Sequence, residues 1–305
     1  MDGLVDGGQR EIGESILIGP LGYGCSKLAD RSMREATTLI ETAIDCGINL
    51  IDVADADGFD GELGFGASQE MLGRVLATAP TLRQRIVLAT RSGVAAGVPY
   101  DSSSRHLRAA CDASLRRLGV DVIDLFQLHH ADVFTHPGEI ADALVTLHEQ
   151  GKIREVGVSN HSPAQVMALQ AHLPIELVTT QPEYSAANLG ALRDGTLDQA
   201  MELGLTTLAW GTLAGGSLGD GCPSGDGSVR PELLATLDRI AAREGVDRSA
   251  VALAFVLAHP ASPVPVLGTQ RPQRIKAAVG ALTVTLDRTD MYEIVAASDG
   301  RALRY

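Results

Sequence analysis

Eight short apolar runs, each followed by a longer amphipathic stretch, recur from one end of the chain to the other. The runs are residues 16–21, 48–52, 86–89, 122–128, 155–158, 177–180, 206–209 and 264–267. They are rich in aliphatic and β-branched side chains and nearly unbroken in hydrophobicity, the pattern of parallel strands buried on both faces. Helical signals lie between them. Ser32 stands three residues before Glu35, a capping box, and Gly47 after Cys46 stops that segment. Apolar residues keep helical spacing over 104–118, ahead of Gly119, and over 144–150, ahead of Gly151. Pro163, Pro231 and Pro272 each suit a first helical turn.

Eight strand–helix units in 305 residues suit an α/β chain folded as a single (β/α)8 TIM barrel over 1–305, with a glycine-rich loop at about 213–230. A doubly wound sheet is the competing architecture. It expects a strand running into a full G-x-G-x-x-G turn, and none is present. Gly22-Tyr23-Gly24 continues as Cys25-Ser26-Lys27, and Gly64-Phe65-Gly66 falls in a polar loop. Aromatic residues are only 4% of the chain, so aliphatic side chains must fill the core.

The formal net charge of −13 argues against sequence-independent affinity for nucleic acid or an anionic membrane. No run approaches the roughly 20 apolar residues of a membrane span. The first 14 residues lack the basic and apolar regions of a secretory signal. Cys25, Cys46, Cys111 and Cys222 are scattered with no C-x-x-C pair, as expected of reduced thiols in a cytoplasm. The expected partner is a small-molecule substrate, and oligomeric state is not legible.

In a barrel of this type the chemistry belongs to the loops at the C-terminal ends of the strands. Polar residues gather there: Asp52 with Asp55 and Asp57, Arg91, His129 with His130, Ser159 with Asn160, Gln181, Trp210, and Thr269 onward. His129, His130 and Asp132 invite a metal, but successive strand residues face opposite ways. No H-x-H pair occurs elsewhere, and no metal is expected.

These segments resemble the aldo-keto reductases over nearly the whole chain. Asn49-Leu50-Ile51-Asp52-Val53-Ala54-Asp55 is similar to the family's second-strand signature, and Gln69-Glu70-Met71-Leu72-Gly73 to the helix after it. The segment from Gly119 through Asp124-Leu125-Phe126-Gln127-Leu128-His129 resembles its fourth-strand signature. Gly151-Lys152-Ile153-Arg154-Glu155-Val156-Gly157-Val158-Ser159-Asn160 is the most specific match. Gln181, Trp210-Gly211-Thr212-Leu213 and Pro265-Val266-Leu267-Gly268-Thr269 follow in order.

The resemblance implies a nicotinamide cofactor, NADP(H) before NAD(H), and metal-free reduction of carbonyls. By position it assigns Ser159, Asn160 and Gln181 to the nicotinamide carboxamide and Trp210 to stacking on its ring. Gly24, Gly211, Leu213 and Gly215 fall near the cofactor backbone. Thr269, Gln270 and Arg274, with Arg271 beside them, fall at the adenosine phosphate, which an arginine suits.

The family's usual tetrad is aspartate, tyrosine, lysine and histidine. Asp52 and His129 occupy two of those positions. Asp57 stands where the tyrosine is expected, five residues after Asp52, and Arg91 where the lysine is expected. Arg91 keeps the positive charge, but an ionised Asp57 has no proton to donate. The double, charge-complementary replacement predicts an Asp57–Arg91 ion pair. A loop of different course, with Asp57 facing solvent, is the alternative.

For the proton, His129 is the leading candidate because an unperturbed imidazole titrates near neutrality, with Tyr23 and Tyr100 as further hydroxyls. The expected activity is an NADP(H)-dependent oxidoreductase acting on an aldehyde, ketone, sugar or imine. Non-reductive chemistry (elimination or isomerisation) with Asp57 as base, and a nucleotide-binding pseudoenzyme, remain as alternatives.

Overall fold

Two short strands, β1 (Arg10–Ile12) and β2 (Ile16–Ile18), pair antiparallel before the barrel begins. The computed structural model describes residues 3–58, 64–219 and 229–301. Residues 59–63, and 220–228 of the glycine-rich loop with Cys222 among them, lie outside these ranges.

The expected first barrel strand over 16–21 is therefore corrected. Ile16 and Ile18 turn one way and Leu17 the other, which suits a hairpin with one covered face. The barrel's first strand is instead β3 (Gly22–Gly24). Its glycines conceal it from an apolar count, and they are needed. A Cβ at Gly22 would sit 3.1 Å from Leu50 Cδ2 and 3.4 Å from Val266 Cγ2 on the two flanking strands.

The other seven strands are β4 (Leu50–Ala54), β5 (Val87–Ser92), β6 (Ile123–Leu128), β7 (Ile153–Ser159), β8 (Leu177–Gln181), β9 (Thr206–Ala209) and β10 (Val264–Leu267). All pair in parallel, and β10 returns to β3 and closes the ring. The fold is a (β/α)8 barrel. Around it run α1 (Met33–Asp45), α2 (Ala67–Thr78), α3 (Ser104–Leu118), α4 (Pro137–Glu149), α5 (Pro163–Gln170), α6 (Gly190–Arg193), α7 (Thr196–Leu203), α8 (Pro231–Glu244), α9 (Arg248–Leu257), α10 (Pro272–Ala278) and α11 (Arg288–Asp299).

The capping signals act as their chemistry requires. Ser32 accepts from Glu35 N–H while the Glu35 carboxylate accepts from Ser32 N–H, so two orphan donors of α1 are satisfied. Gly119 ends α3 in the left-handed region, at φ 66°. Pro163, Pro231 and Pro272 open their helices.

The barrel interior has an apolar floor and a polar top. Ile12, Ile16 and Ile18 of the hairpin pack with Leu50, Leu125 and Val264 of the strands and close the N-terminal end. Further along the same strands the buried inward positions turn polar: Asp52, Gln127, Thr179 and Gln181. Among the described residues no helix is long and apolar enough to cross a membrane.

Candidate active site

Arg91 sits near the end of β5, paired across the ladder with Gln127 of β6. Its Nη1 donates both to Asp52 Oδ2 and, at 2.9 Å, to Gln181 Oε1. Gln181 Nε2 donates to the same Asp52 oxygen at 3.0 Å. The arginine's close anion is thus Asp52, not Asp57. Asp57 Oδ2 lies 4.0 Å from Arg91 Nη2 and accepts the Ala54 N–H at 2.7 Å. The expected Asp57–Arg91 ion pair is therefore present, with Asp57 as the outer member of a three-charge group whose nearer anion is Asp52. A local turn holds it inward, with Asp57 N–H bonded to Ala54 O.

Burial opposes the charge on Arg91, but Asp52 and Asp57 beside it hold the guanidinium above its usual range. For Asp57 the balance runs the other way from the sequence argument. Burial raises its carboxyl above the ordinary value, and the opposing pull of Arg91 does not overcome it.

His129 follows the last residue of β6, with its N–H on Ser92 O. Its Nδ1 is buried without a partner. Burial, then Arg91, then His130 lower its pKa to about 3. The imidazole is therefore neutral at physiological pH. It can present an N–H but is not the imidazolium acid that an unperturbed value suggested. The expectation that His129 and His130 face apart is also corrected. Both lie beyond the strand end, where alternation stops, and their rings stack 4.9 Å apart at 20°. Tyr100 continues the row, 4.9 Å from His130 and partly exposed. Tyr23 lies within β3, fully buried, donating its hydroxyl to Thr269 O at 3.1 Å. Burial pushes its pKa up.

The residues expected around the cofactor gather at the same end. Ser159 Oγ donates to Gln181 O, and Asn160 Nδ2 donates to His129 O at 3.0 Å and to Ser159 Oγ at 3.1 Å. Asn160 adopts φ 55°, and its Oδ1 accepts the Trp210 indole N–H at 3.0 Å. That bond fixes the indole by its edge while its surface stays 39% exposed. Gly211, at φ 67°, would place a Cβ 2.9 Å from Glu183 Cγ. Gly215, at φ 66° beyond Leu213, has open space around it. Gly24 lets β3 approach β10, where a Cβ would meet Val266 Cγ1 at 3.2 Å.

Beyond β10, Gln270 Oε1 is buried without a partner. Arg271 and Arg274 are exposed, and neither forms an ion pair among the described residues. An aromatic plate and an open glycine turn fit a nicotinamide dinucleotide. Side chains that the motifs did not single out also belong to this end. Gln127 and Thr179 are buried in the Arg91 network, where each is a polar residue inside an apolar strand.

The Aldo/keto reductase family model matches residues 20–299. This chain is an aldo-keto reductase. It is 43% identical over 297 residues, covering 96% of both chains, to a 6-dehydroglucose reductase of Novosphingobium aromaticivorans. It is 34% identical to one from Agrobacterium fabrum, over 95% of this chain and 97% of that one. Among solved structures it is similar to the glycerol dehydrogenase AKR11B4 from Gluconobacter oxydans, with a TM-score of 0.83 and 26% identity over 97% of each chain. Aldo-keto reductases are oxidoreductases that use nicotinamide cofactors, and this one shares their barrel.

Proposed function

We propose that this aldo-keto reductase reduces 6-dehydroglucose or a closely related sugar aldehyde with NADP(H). The observation that carries the reading is the identity of 43% over 96% of both chains to a 6-dehydroglucose reductase. Arg271 and Arg274, without acidic partners among the described residues, support NADP(H) over NAD(H), because a guanidinium matches a phosphate.

When bound, the reduced nicotinamide would supply hydride to the carbonyl carbon, moving the C=O π electron pair onto oxygen. The chain's own residues would then act as follows. Trp210, its indole held by Asn160, would offer its face to the cofactor ring. His129, kept neutral, offers an N–H to the carbonyl oxygen and helps orient it. Arg91 stays charged and stabilises negative charge on that oxygen. Asp57 carries the proton. Burial raises its carboxyl, so the neutral form can pass a proton to the oxygen, and its slight exposure allows reprotonation from solvent. Asp57 and Arg91 thus stand in for the tyrosine–lysine couple of other family members.

The test is the loss of NADPH absorbance on adding 6-dehydroglucose to the purified protein, against NADH as comparison. NADPH oxidation should be faster with substrate, and Asp57→Asn should lower kcat by about a hundredfold with nucleotide affinity retained. NADPH binding without oxidation by any sugar aldehyde would overturn the reading and favour elimination or isomerisation with Asp57 as base.

A further inference from the structure

Arg91 can only donate hydrogen bonds, and the Asp52 oxygen it touches accepts from it. These two facts orient a chain of side-chain amides. The Gln181 atom 2.9 Å from Arg91 must be its carbonyl oxygen, and the atom 3.0 Å from Asp52 must be its NH2. Gln127 lies 3.3 Å from that Gln181 oxygen, so it must present its own NH2 there. Its remaining oxygen then accepts the Thr179 hydroxyl at 3.0 Å. No other assignment pairs a donor with an acceptor at every contact.

The barrel is built to admit this chain. Arg91, Gln127, Gly157 and Thr179 stand side by side on β5, β6, β7 and β8. Thr179 reaches Gln127 only because β7 carries no side chain between them. A Cβ on Gly157 would lie 1.9 Å from Thr179 Oγ1. Gln127 and Thr179 are fully buried, so water does not compete for these bonds.

We infer that Thr179 and Gln127, admitted by the gap at Gly157, are positioning residues that brace the Gln181 amide in the orientation Arg91 and Asp52 require, and so hold Arg91 on Asp52. With Nη1 fixed in this way, Nη2 is left facing Asp57, the group that carries the proton. The catalytic consequence rests on the reductase reading; the amide chain itself does not.

Thr179→Val keeps the shape and removes the hydroxyl, Thr179→Ser restores it, and Gln127→Leu removes the middle link. In NADPH-dependent reduction of 6-dehydroglucose, Thr179→Val should lower kcat about fivefold and Gln127→Leu about tenfold or more. NADPH affinity, read by fluorescence, should stay within roughly twofold, and Thr179→Ser should recover most of kcat. The pH at which kcat turns over should also move in both deficient variants, because Arg91 is the cation nearest Asp57. Unchanged kcat and pH profile in folded Thr179→Val and Gln127→Leu would overturn the inference. So would a parallel loss of kcat and nucleotide affinity that Thr179→Ser does not rescue. If the parent protein reduces no carbonyl, the reductase reading fails and crystal structures of both variants decide the inference. Gln181 turned away from Arg91 supports it, and an unmoved Gln181 overturns it.

Discussion

Asp55 and Asp57 stand two residues apart on one loop, and their surroundings treat them differently. Asp57 has a donor and a cation within reach and keeps some exposure, whereas Asp55 is fully buried beside Ser92. Burial pushes the Asp55 carboxyl to about 7. An unfolded aspartate titrates near 3.9, so between about pH 4 and about pH 7 the folded chain holds a proton that the unfolded chain has lost. Stability should therefore fall as pH rises through that window. Asp55→Asn keeps the shape without the titration. Its Tm should gain on the parent by several degrees between about pH 4 and about pH 7, whereas a constant offset would show no titration there. Charge states of this kind were not legible in the sequence. Asp52, Arg91 and His129 could be located from their places at strand ends. That His129 lies against a buried guanidinium depends on a neighbour 38 residues away, which no local pattern reports.

Strands that carry a clear apolar signal were read well, and those that use glycine were not. β9 and β10 occupy the residues their composition indicates, and α3 runs over the whole stretch of helical spacing. β3 escaped because Gly22-Tyr23-Gly24 offers a single apolar side chain, although its neighbours demand that lack of bulk. The same physics governs Gly157 on β7. Gly157→Ala should destabilise the protein by about 1–3 kcal/mol in urea unfolding, the usual penalty of overpacking. Combined with Thr179→Ala, which removes the hydroxyl oxygen the methyl would strike, it should cost less than the two single changes summed. Strict additivity would mean that β7 absorbs the methyl by shifting. Gln181 illustrates the complementary limit. Its position at a strand end was legible, but its engagement with Arg91 and Asp52 is set by the curvature that brings β8 opposite β4.

At the scale of the whole molecule the two ends of the barrel are chemically separate. Charged and amide groups fill the end where catalysis is proposed, while Ile12, Ile16 and Ile18 seal the other with aliphatic packing. Ile18→Ala should therefore cost about 2–4 kcal/mol, seen as a lower Tm, and leave NADPH affinity unchanged. A weakened affinity would show that the two ends are coupled. The seal also imposes an order of assembly. Its seat is made from side chains as far along the chain as Val264 and Val266, and Arg10 Nε completes it by donating to Ser262 O at 2.8 Å. A ribosome delivers the isoleucines first and their socket last. During synthesis the earliest greasy segment must wait, uncovered, until some 250 further residues have emerged.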